Sequence, residues 1–227
     1  MIVCLIPARI GSKRIKKKNI LSFLGKPLIA YPISTAIKSK LFNKIIVSTD
    51  SVLIKKTSEK YGASVPFLRP KKLSTDNIPD RDVLKHFLKY AKENKMKIKY
   101  LCYLYPTATL MTVPLLKECY KIISKKKYGK LINTCKFPSN IERALKKDNT
   151  NKMTFNNARY RFSRSQNMPD HYYDAGQCYW YKFKNNSLLF NEKMPTYGKE
   201  LNHDQFVDIN THNDIKILKK LFDKNKK

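Results

Sequence analysis

Apolar residues recur along the chain in short blocks that switch between two periods. Ile2 to Pro7 is a near-continuous apolar run rich in β-branched residues and gives way to a Gly, Ser and Lys loop, which predicts a buried strand. Pro27 then opens a predicted helix of about three turns with Leu28, Ile29, Ile33 and Ile37 on one stripe, and Ile45 to Val47 predicts the next strand. Asp50 or Ser51 is placed to cap a second helix that runs through Tyr61 to the stop residue Gly62, ahead of a short Val65 to Phe67 strand. Asp80 precedes a helix carrying Val83, Leu84, Phe87, Leu88 and Ala91 at helical spacing, and Tyr100 to Tyr105 reads as another buried strand. Thr112 caps a helix from Val113 to Ile123 with Pro114 in its first turn, and Leu131 to Cys135 follows as a strand. Apolar strands alternating with amphipathic helices predict an α/β fold, a mostly parallel sheet flanked by helices.

From about Phe137 to Phe162 the pattern breaks into polar, Asn- and Lys-rich sequence with isolated apolar positions, among them Ile141, Met153, Phe155 and Tyr160. No second core is visible there, so the segment 137–162 is expected to be an arm inserted in a single domain spanning 1–227. Order returns with predicted strands at Gln177 to Phe183 and Gln205 to Ile209, then a final helix containing Ile215, Ile217, Leu218 and Leu221.

Composition narrows the function classes. No apolar run approaches the roughly 20 residues of a membrane span, and no basic segment precedes a long apolar run at the N-terminus, so a cytoplasmic location is expected. Five dispersed cysteines without a CxxC pair argue against disulfides and structural zinc. The formal charge of +30 raises nucleic-acid binding, but 39 of the 47 basic residues are lysines scattered over the predicted solvent faces. Base and phosphate readers favour arginine interleaved with aromatics on one element, so a nucleic-acid function is disfavoured. A positive field still draws in a small polyanion such as a nucleotide.

The first strand empties into Pro7-Ala8-Arg9-Ile10-Gly11-Ser12-Lys13-Arg14, followed by Lys16 to Lys18 and Asn19. A small-residue turn lets backbone amides approach phosphate oxygens while Arg and Lys supply charge-assisted contacts. The order Gly-Ser-Lys lacks the earlier glycine of a Walker A loop, and a lone Gly11 is no dinucleotide fingerprint. Taken alone, the run reads equally well as a solvated basic turn.

The run PARIGSKRIKKKNI resembles the N-terminal signature of the acylneuraminate cytidylyltransferase family, which activates acidic nine-carbon and eight-carbon sugars. Gly25-Lys26-Pro27, Val47-Ser48-Thr49-Asp50, Arg69-Pro70, Tyr105-Pro106-Thr107-Ala108, Arg164-Ser165-Gln166 and Phe206-Val207-Asp208-Ile209 agree in order and spacing over nearly the whole chain. Tyr105-Pro106-Thr107-Ala108, Arg164-Ser165-Gln166 and Asp174-Ala175-Gly176-Gln177 are most similar to the branch acting on pseudaminic acid. Legionaminic, sialic and octulosonic acids are the alternative sugars, and a nucleotide- or RNA-binding protein with impaired catalysis is the alternative of another class.

The resemblance implies transfer of CMP from CTP to the anomeric hydroxyl of an acidic 2-keto sugar, with release of pyrophosphate. It implies that Ala8, Arg9, Ser12, Lys13, Lys18, Asn19 and Arg69 bind CTP, with Arg9, Lys18 and Asp208 in catalytic roles. Tyr105, Arg164, Gln166, Asp174 and Gln177 would meet the sugar, and Asp208 with Asn210 would hold Mg²⁺. Here the chain departs from the family, whose usual pattern is Asp-x-Asp; Asp208-Ile209-Asn210 lacks one formal charge, and weaker metal binding or impaired catalysis follows. Asp214 is expected in the first turn of the last helix rather than as a replacement ligand. Relatives often show His where this chain has Tyr173, and no catalytic role is assigned to His171. Relatives form homodimers in which an arm reaches the neighbouring site, so a homodimer through 137–162 is expected.

Overall fold

The computed structural model describes residues 1–125, 128–184, 187–188 and 195–224, with the backbone course alone at 165, 184, 187 and 188. Strand β1 (Ile2–Pro7) leads to a small hairpin, β2 (Ser22–Phe23) and β3 (Lys26–Pro27), then helix α1 (Ala30–Ser39), β4 (Lys44–Ser48), α2 (Val52–Lys60), α3 (Asp80–Glu93), β5 (Tyr100–Leu104), α4 (Val113–Lys125) and β6 (Lys130–Lys136). A second hairpin of β7 (Leu145–Lys147) and β8 (Met153–Phe155) precedes β9 (Tyr172–Lys184), β10 (Ser187–Leu188), β11 (Thr196–Glu200) and α5 (His212–Lys224).

The main sheet has the order β11-β6-β9-β5-β1-β4, with β10 attached to β9. β1 pairs in parallel with β4 and β5, β11 pairs in parallel with β6, and β9 runs antiparallel between β5 and β6. Alternation along β1 feeds two cores, as a strand's period of two requires. Cys4 and Ile6 join Ile33, Leu116, Cys119 and Trp180 on one face, while Val3 and Leu5 join Leu84, Phe87, Leu101 and Tyr103 on the other. A satellite cluster of Ile15, Phe23, Leu28, Ile209 and Leu218 seats α5 against the first hairpin.

Local chemistry explains the boundaries. Ser51, not Asp50, caps α2, its Oγ accepting from the Ile54 N–H at 3.3 Å, and Gly62 past its end has φ +90°, a left-handed turn that glycine accommodates. Thr112 Oγ1 accepts from the Leu115 N–H at 3.3 Å and caps α4.

Three expectations change, and one strand is new. Pro27 lies in β3 instead of opening α1, because Leu24 and Gly25 both take positive φ and close a tight hairpin ahead of it. Val65 to Phe67 makes no strand; it is flanked by isolated parallel bridges, Ile46–Ser64 on one side and Thr49–Leu68 on the other, and Val65 packs in the core cluster with Val47. Gln205 to Ile209 is a loop whose Phe206 and Ile209 anchor it in separate clusters. The strand in that region is β11, whose polar TYGKE sequence carries no apolar run.

The arm leaves β6 and re-enters β9, where the Phe137 N–H donates to the His171 carbonyl at 2.9 Å. It holds the β7–β8 hairpin between 3₁₀ turns at Ile141–Arg143 and Ala158–Tyr160, capped by Asn140 and Asn157. His171 braces its base, with Nε2 3.1 Å from Glu142. Phe162 is 89% exposed.

Trp180 is fully buried, stacked on Phe42 and tilted against Tyr120. Trp180→Ala is expected to lower unfolding stability by about 3–5 kcal/mol in a denaturant titration; a loss under about 1 kcal/mol would contradict this packing.

Candidate active site

Parallel strands deliver their C-terminal ends to one edge of a sheet, and the loops after them build the crevice. Here the Ala8 N–H donates to the Ser48 carbonyl at 2.9 Å, tying the ends of β1 and β4 together, and the Tyr105 N–H donates to the Gln177 carbonyl at 2.9 Å, tying β5 to β9. Between them opens a cleft of about 500 Å³. The loop after β1 forms one wall with Arg9, Ser12, Lys13, Arg14, Lys18 and Asn19. Arg69, the segment from Leu73 through Asp76 to Asp80, and Tyr105, Pro106 and Thr107 complete the lining.

The basic loop is braced from within the protein. Asp50 Oδ1 accepts the Ile10 N–H at 3.0 Å, and Asn19 Nδ2 donates to the Arg9 carbonyl at 2.8 Å, so Arg9 is held from both sides. Lys18 is half-buried and its Nζ donates to the Ile209 carbonyl at 2.5 Å. Burial pulls its pKa below the usual lysine value; Asp208 opposes that shift, and Arg14 and Arg9 add to it. Arg69 is buried, its backbone N–H donating to the Thr49 carbonyl and its Nε to Ser74 Oγ at 3.0 Å. Burial lowers its pKa as well, yet guanidinium keeps its charge.

Two carboxylates sit among these cations. Asp76 Oδ1 lies 2.5 Å from Arg9 Nη1 and Oδ2 lies 2.8 Å from Lys13 Nζ, and hydrogen bonds from Lys13 and Arg9 hold its pKa below the usual carboxylate value. Asp80, at the start of α3, accepts from the Tyr103 hydroxyl at 2.8 Å through Oδ1 and from the Tyr105 hydroxyl through Oδ2. Tyr179 packs edge-on against Tyr105 with centroids 5.6 Å apart and donates to Asp174 Oδ2 at 2.6 Å, while Asp174 Oδ1 accepts the Gly176 N–H. Burial, then the charge of Asp80, pushes the Tyr105 phenol far above its usual pKa, so it stays a neutral donor.

The structure brings Arg9, Ser12, Lys13, Lys18, Asn19, Arg69 and Tyr105 into one cleft lining. Ala8 is buried beside it, with its amide engaged by the sheet. Gln177 is buried at the β9 end, Nε2 donating to the Gln205 carbonyl at 2.6 Å and Oε1 buried without a partner. Arg164 and Gln166 are exposed on the turn between the arm and β9 and are not part of the cleft lining. From the sequence, the resemblance placed the segment after Asp76 near the cytosine and Arg14 stood in the basic run, but neither Asp76 nor Asp80 was singled out as a partner of the cleft side chains, and Tyr179 was given no role. For Tyr179 a signal existed, since it stands two residues beyond Gln177 on the same strand face.

Asp208 lies in the loop before α5 rather than at a strand end, and its Oδ2 accepts from Asn210 Nδ2 at 2.6 Å. Asp214 Oδ2 accepts the N–H groups of Asn210 and Thr211 at 2.8 and 2.6 Å, and the Thr211 hydroxyl as well, which makes it the reciprocal cap of α5. Its carboxylate is therefore engaged in holding the helix start, as its first-turn position suggested.

A mostly parallel sheet with an arginine- and lysine-lined cleft at its strand ends defines a nucleotide-binding α/β protein. The cytidylyltransferase family profile matches residues 3–227, and the chain belongs to that family of nucleotidyltransferases. It is 33% identical over 223 residues to the pseudaminic acid cytidylyltransferase of Campylobacter jejuni, covering 97% of this chain and 95% of that one. It is 51% identical to the CMP-N,N'-diacetyllegionaminic acid synthase of Legionella pneumophila over 75 residues, 33% of this chain and 32% of that one. Among solved structures, CMP:2-keto-3-deoxy-manno-octonic acid synthetase complexed with CTP shares the fold, with a TM-score of 0.71, 14% identity and 99% of both chains covered.

Removing Arg9 takes away a fixed guanidinium from the cleft wall. Arg9→Ala is expected to weaken CTP binding at least roughly tenfold by calorimetry, the scale of a lost charged hydrogen bond; unchanged affinity would remove Arg9 from the nucleotide site.

Proposed function

We propose that this protein transfers CMP from CTP to the anomeric hydroxyl of pseudaminic acid, releasing pyrophosphate. The observation that carries this reading is the match to the Campylobacter jejuni enzyme over 97% of the chain, against a third of it for the legionaminic acid synthase. The basic cleft supports it physically. In such a reaction the anomeric oxygen bonds to the α-phosphorus, the bond from that phosphorus to the bridging oxygen breaks, and the hydroxyl proton passes to solvent. Charge then accumulates on the pyrophosphate, and catalysis rests on alignment and neutralisation.

The residues divide that work. Arg9, Ser12, Lys13 and Asn19 would hold the triphosphate, with Lys18 and Arg9 steadying the departing pyrophosphate. Arg69, fixed by Ser74, would approach the cytosine end. Tyr105, Asp174 and Gln177 at the β5–β9 end would meet the sugar, together with Arg164 and Gln166 from the turn that follows the arm.

Asp208 and Asn210 would hold Mg²⁺. Among the described residues no group of three or more His, Cys, Asp or Glu side chains gathers as a metal site, and Asp208 and Asn210 lie in hydrogen-bond contact. A lone carboxylate with an adjacent amide oxygen fits an ion that takes most of its octahedron from phosphates and water. Bound there, it would neutralise phosphate charge.

We further propose that the protein is cytoplasmic and works as a homodimer joined through the arm. All five cysteines are free and buried, which suits a reducing compartment, and no helix among the described residues is long and apolar enough to cross a membrane. Leu145, Met153 and Phe162 on the arm are 51%, 56% and 89% exposed, an apolar display suited to burial against a second copy. Light scattering on the purified protein is expected to give twice the 26.6 kDa chain mass, and a monomer would contradict the arm's role.

Pyrophosphate release with CTP and Mg²⁺ tests the reaction, offering pseudaminic, legionaminic, sialic and octulosonic acids in parallel. Turnover is expected with pseudaminic acid above the others, and preference for another sugar would overturn the substrate. Asn210→Asp is expected to lower the half-saturating Mg²⁺ concentration severalfold; no change would take Asn210 out of the metal site.

A further inference from the structure

Every cation placed to hold a triphosphate needs an anion, and in this structure one is supplied by the protein itself. The two oxygens of Asp76 divide between Arg9 Nη1 at 2.5 Å and Lys13 Nζ at 2.8 Å, the fork a phosphate group would use on the same pair. Arg9 and Lys13 come from the loop after β1 and Asp76 from the segment between Arg69 and α3, and all three line the cleft, so the contact joins two separate segments of its lining. The segment that carries Asp76 is made of turns: a 3₁₀ turn at Lys71–Leu73, the Leu73 and Ser74 N–H groups donating to Pro70 and Lys71, and the Ile78 N–H donating to Thr75 at 3.4 Å. It is fixed at one end by the Arg69 N–H on the Thr49 carbonyl and at the other by α3. A carboxylate on such a segment can leave its partners without unpacking the core, because Asp76 itself is exposed.

We propose that Asp76 is an internal substitute for phosphate: it occupies Arg9 and Lys13 when the cleft is empty, yields them to the triphosphate of CTP, and takes them back as pyrophosphate departs. The inference rests on the reading of this cleft as the triphosphate site and adds a role that reading does not contain. Without Asp76, the side chains of Arg9 and Lys13 would stand unpaired beside Arg14 and Lys18, and any polyphosphate would meet them at full charge. With it, binding is an exchange of one anion for another, which lowers affinity for both CTP and pyrophosphate and lets the product leave.

Binding without turnover tests this directly. Inorganic pyrophosphate and, separately, CTP would be titrated by calorimetry into the wild type, Asp76→Asn and Asp82→Asn. Asp82 lies on α3 beside Arg81 and Lys85, so its neutralisation changes the net charge equally without releasing Arg9 or Lys13. Asp76→Asn is expected to bind both probes roughly three- to tenfold more tightly, the range expected for releasing two solvent-facing ion pairs, with Asp82→Asn within about twofold of wild type. Equal or weaker binding by Asp76→Asn, or equal tightening in both variants, would overturn the proposal. Failure of the wild type to bind either probe would instead overturn the triphosphate site itself.

Discussion

Strand β1 is satisfied only at the middle of a sheet. From Val3 to Ile6 it has no exposed surface, both its edges are paired in parallel, and its alternate side chains supply two separate cores. Helices must therefore cover both faces, and the connections must cross over to bring each next strand in alongside. That constraint sends the ends of β1, β4 and β5 to the same edge. The cleft is the consequence: the loop after β1, the segment after β4 and the residues after β5 meet there because their strands cannot point elsewhere.

Charge acts on this frame at two scales. The excess of +30 is spread mainly over lysines and sets a general field that favours polyanions. Arginine is scarce, and three of its eight occurrences, Arg9, Arg14 and Arg69, line the cleft, where a planar fork can grip phosphate or a base edge. The acidic residues there have local tasks: Asp50 pins the loop backbone, Asp80 ties two tyrosines to α3, and Asp76 holds Arg9 and Lys13 together. Asp208 and Asn210 stand at the other side of Lys18, whose ammonium is anchored on the Ile209 carbonyl between them.

The fold was legible wherever burial imposed a period. Ile2–Pro7 and Tyr100–Leu104 are buried on both faces and read as strands directly, and α3 shows its core stripe of Val83, Leu84, Phe87 and Ala91. Legibility failed where backbone pairing, rather than apolar burial, makes the element. β11 pairs with β6 through a polar sequence, while Phe206 and Ile209 are buried as single anchors of a loop and imitate a strand. In the cleft, the cations of the basic loop were visible as a run of arginine and lysine beside a small-residue turn. The partners of Asp76 and Asp80 were not, since a carboxylate among cations makes sense only once those partners, more than sixty residues away for Arg9 and over twenty for the tyrosines, are seen beside it. The sequence also grouped Arg164 and Gln166 with Tyr105, but in the single chain they stand exposed on the turn between the arm and β9, outside the cleft lining.

The most direct test of the account is a crystal structure of the protein with CTP alone. The triphosphate is expected against Arg9, Ser12 and Lys13, the leaving phosphates within reach of Lys18, and the cytosine end toward Arg69. Nucleotide bound outside the cleft at the ends of β1, β4 and β5, or bound within it with the base against Lys13 and the phosphates against Arg69, would contradict it.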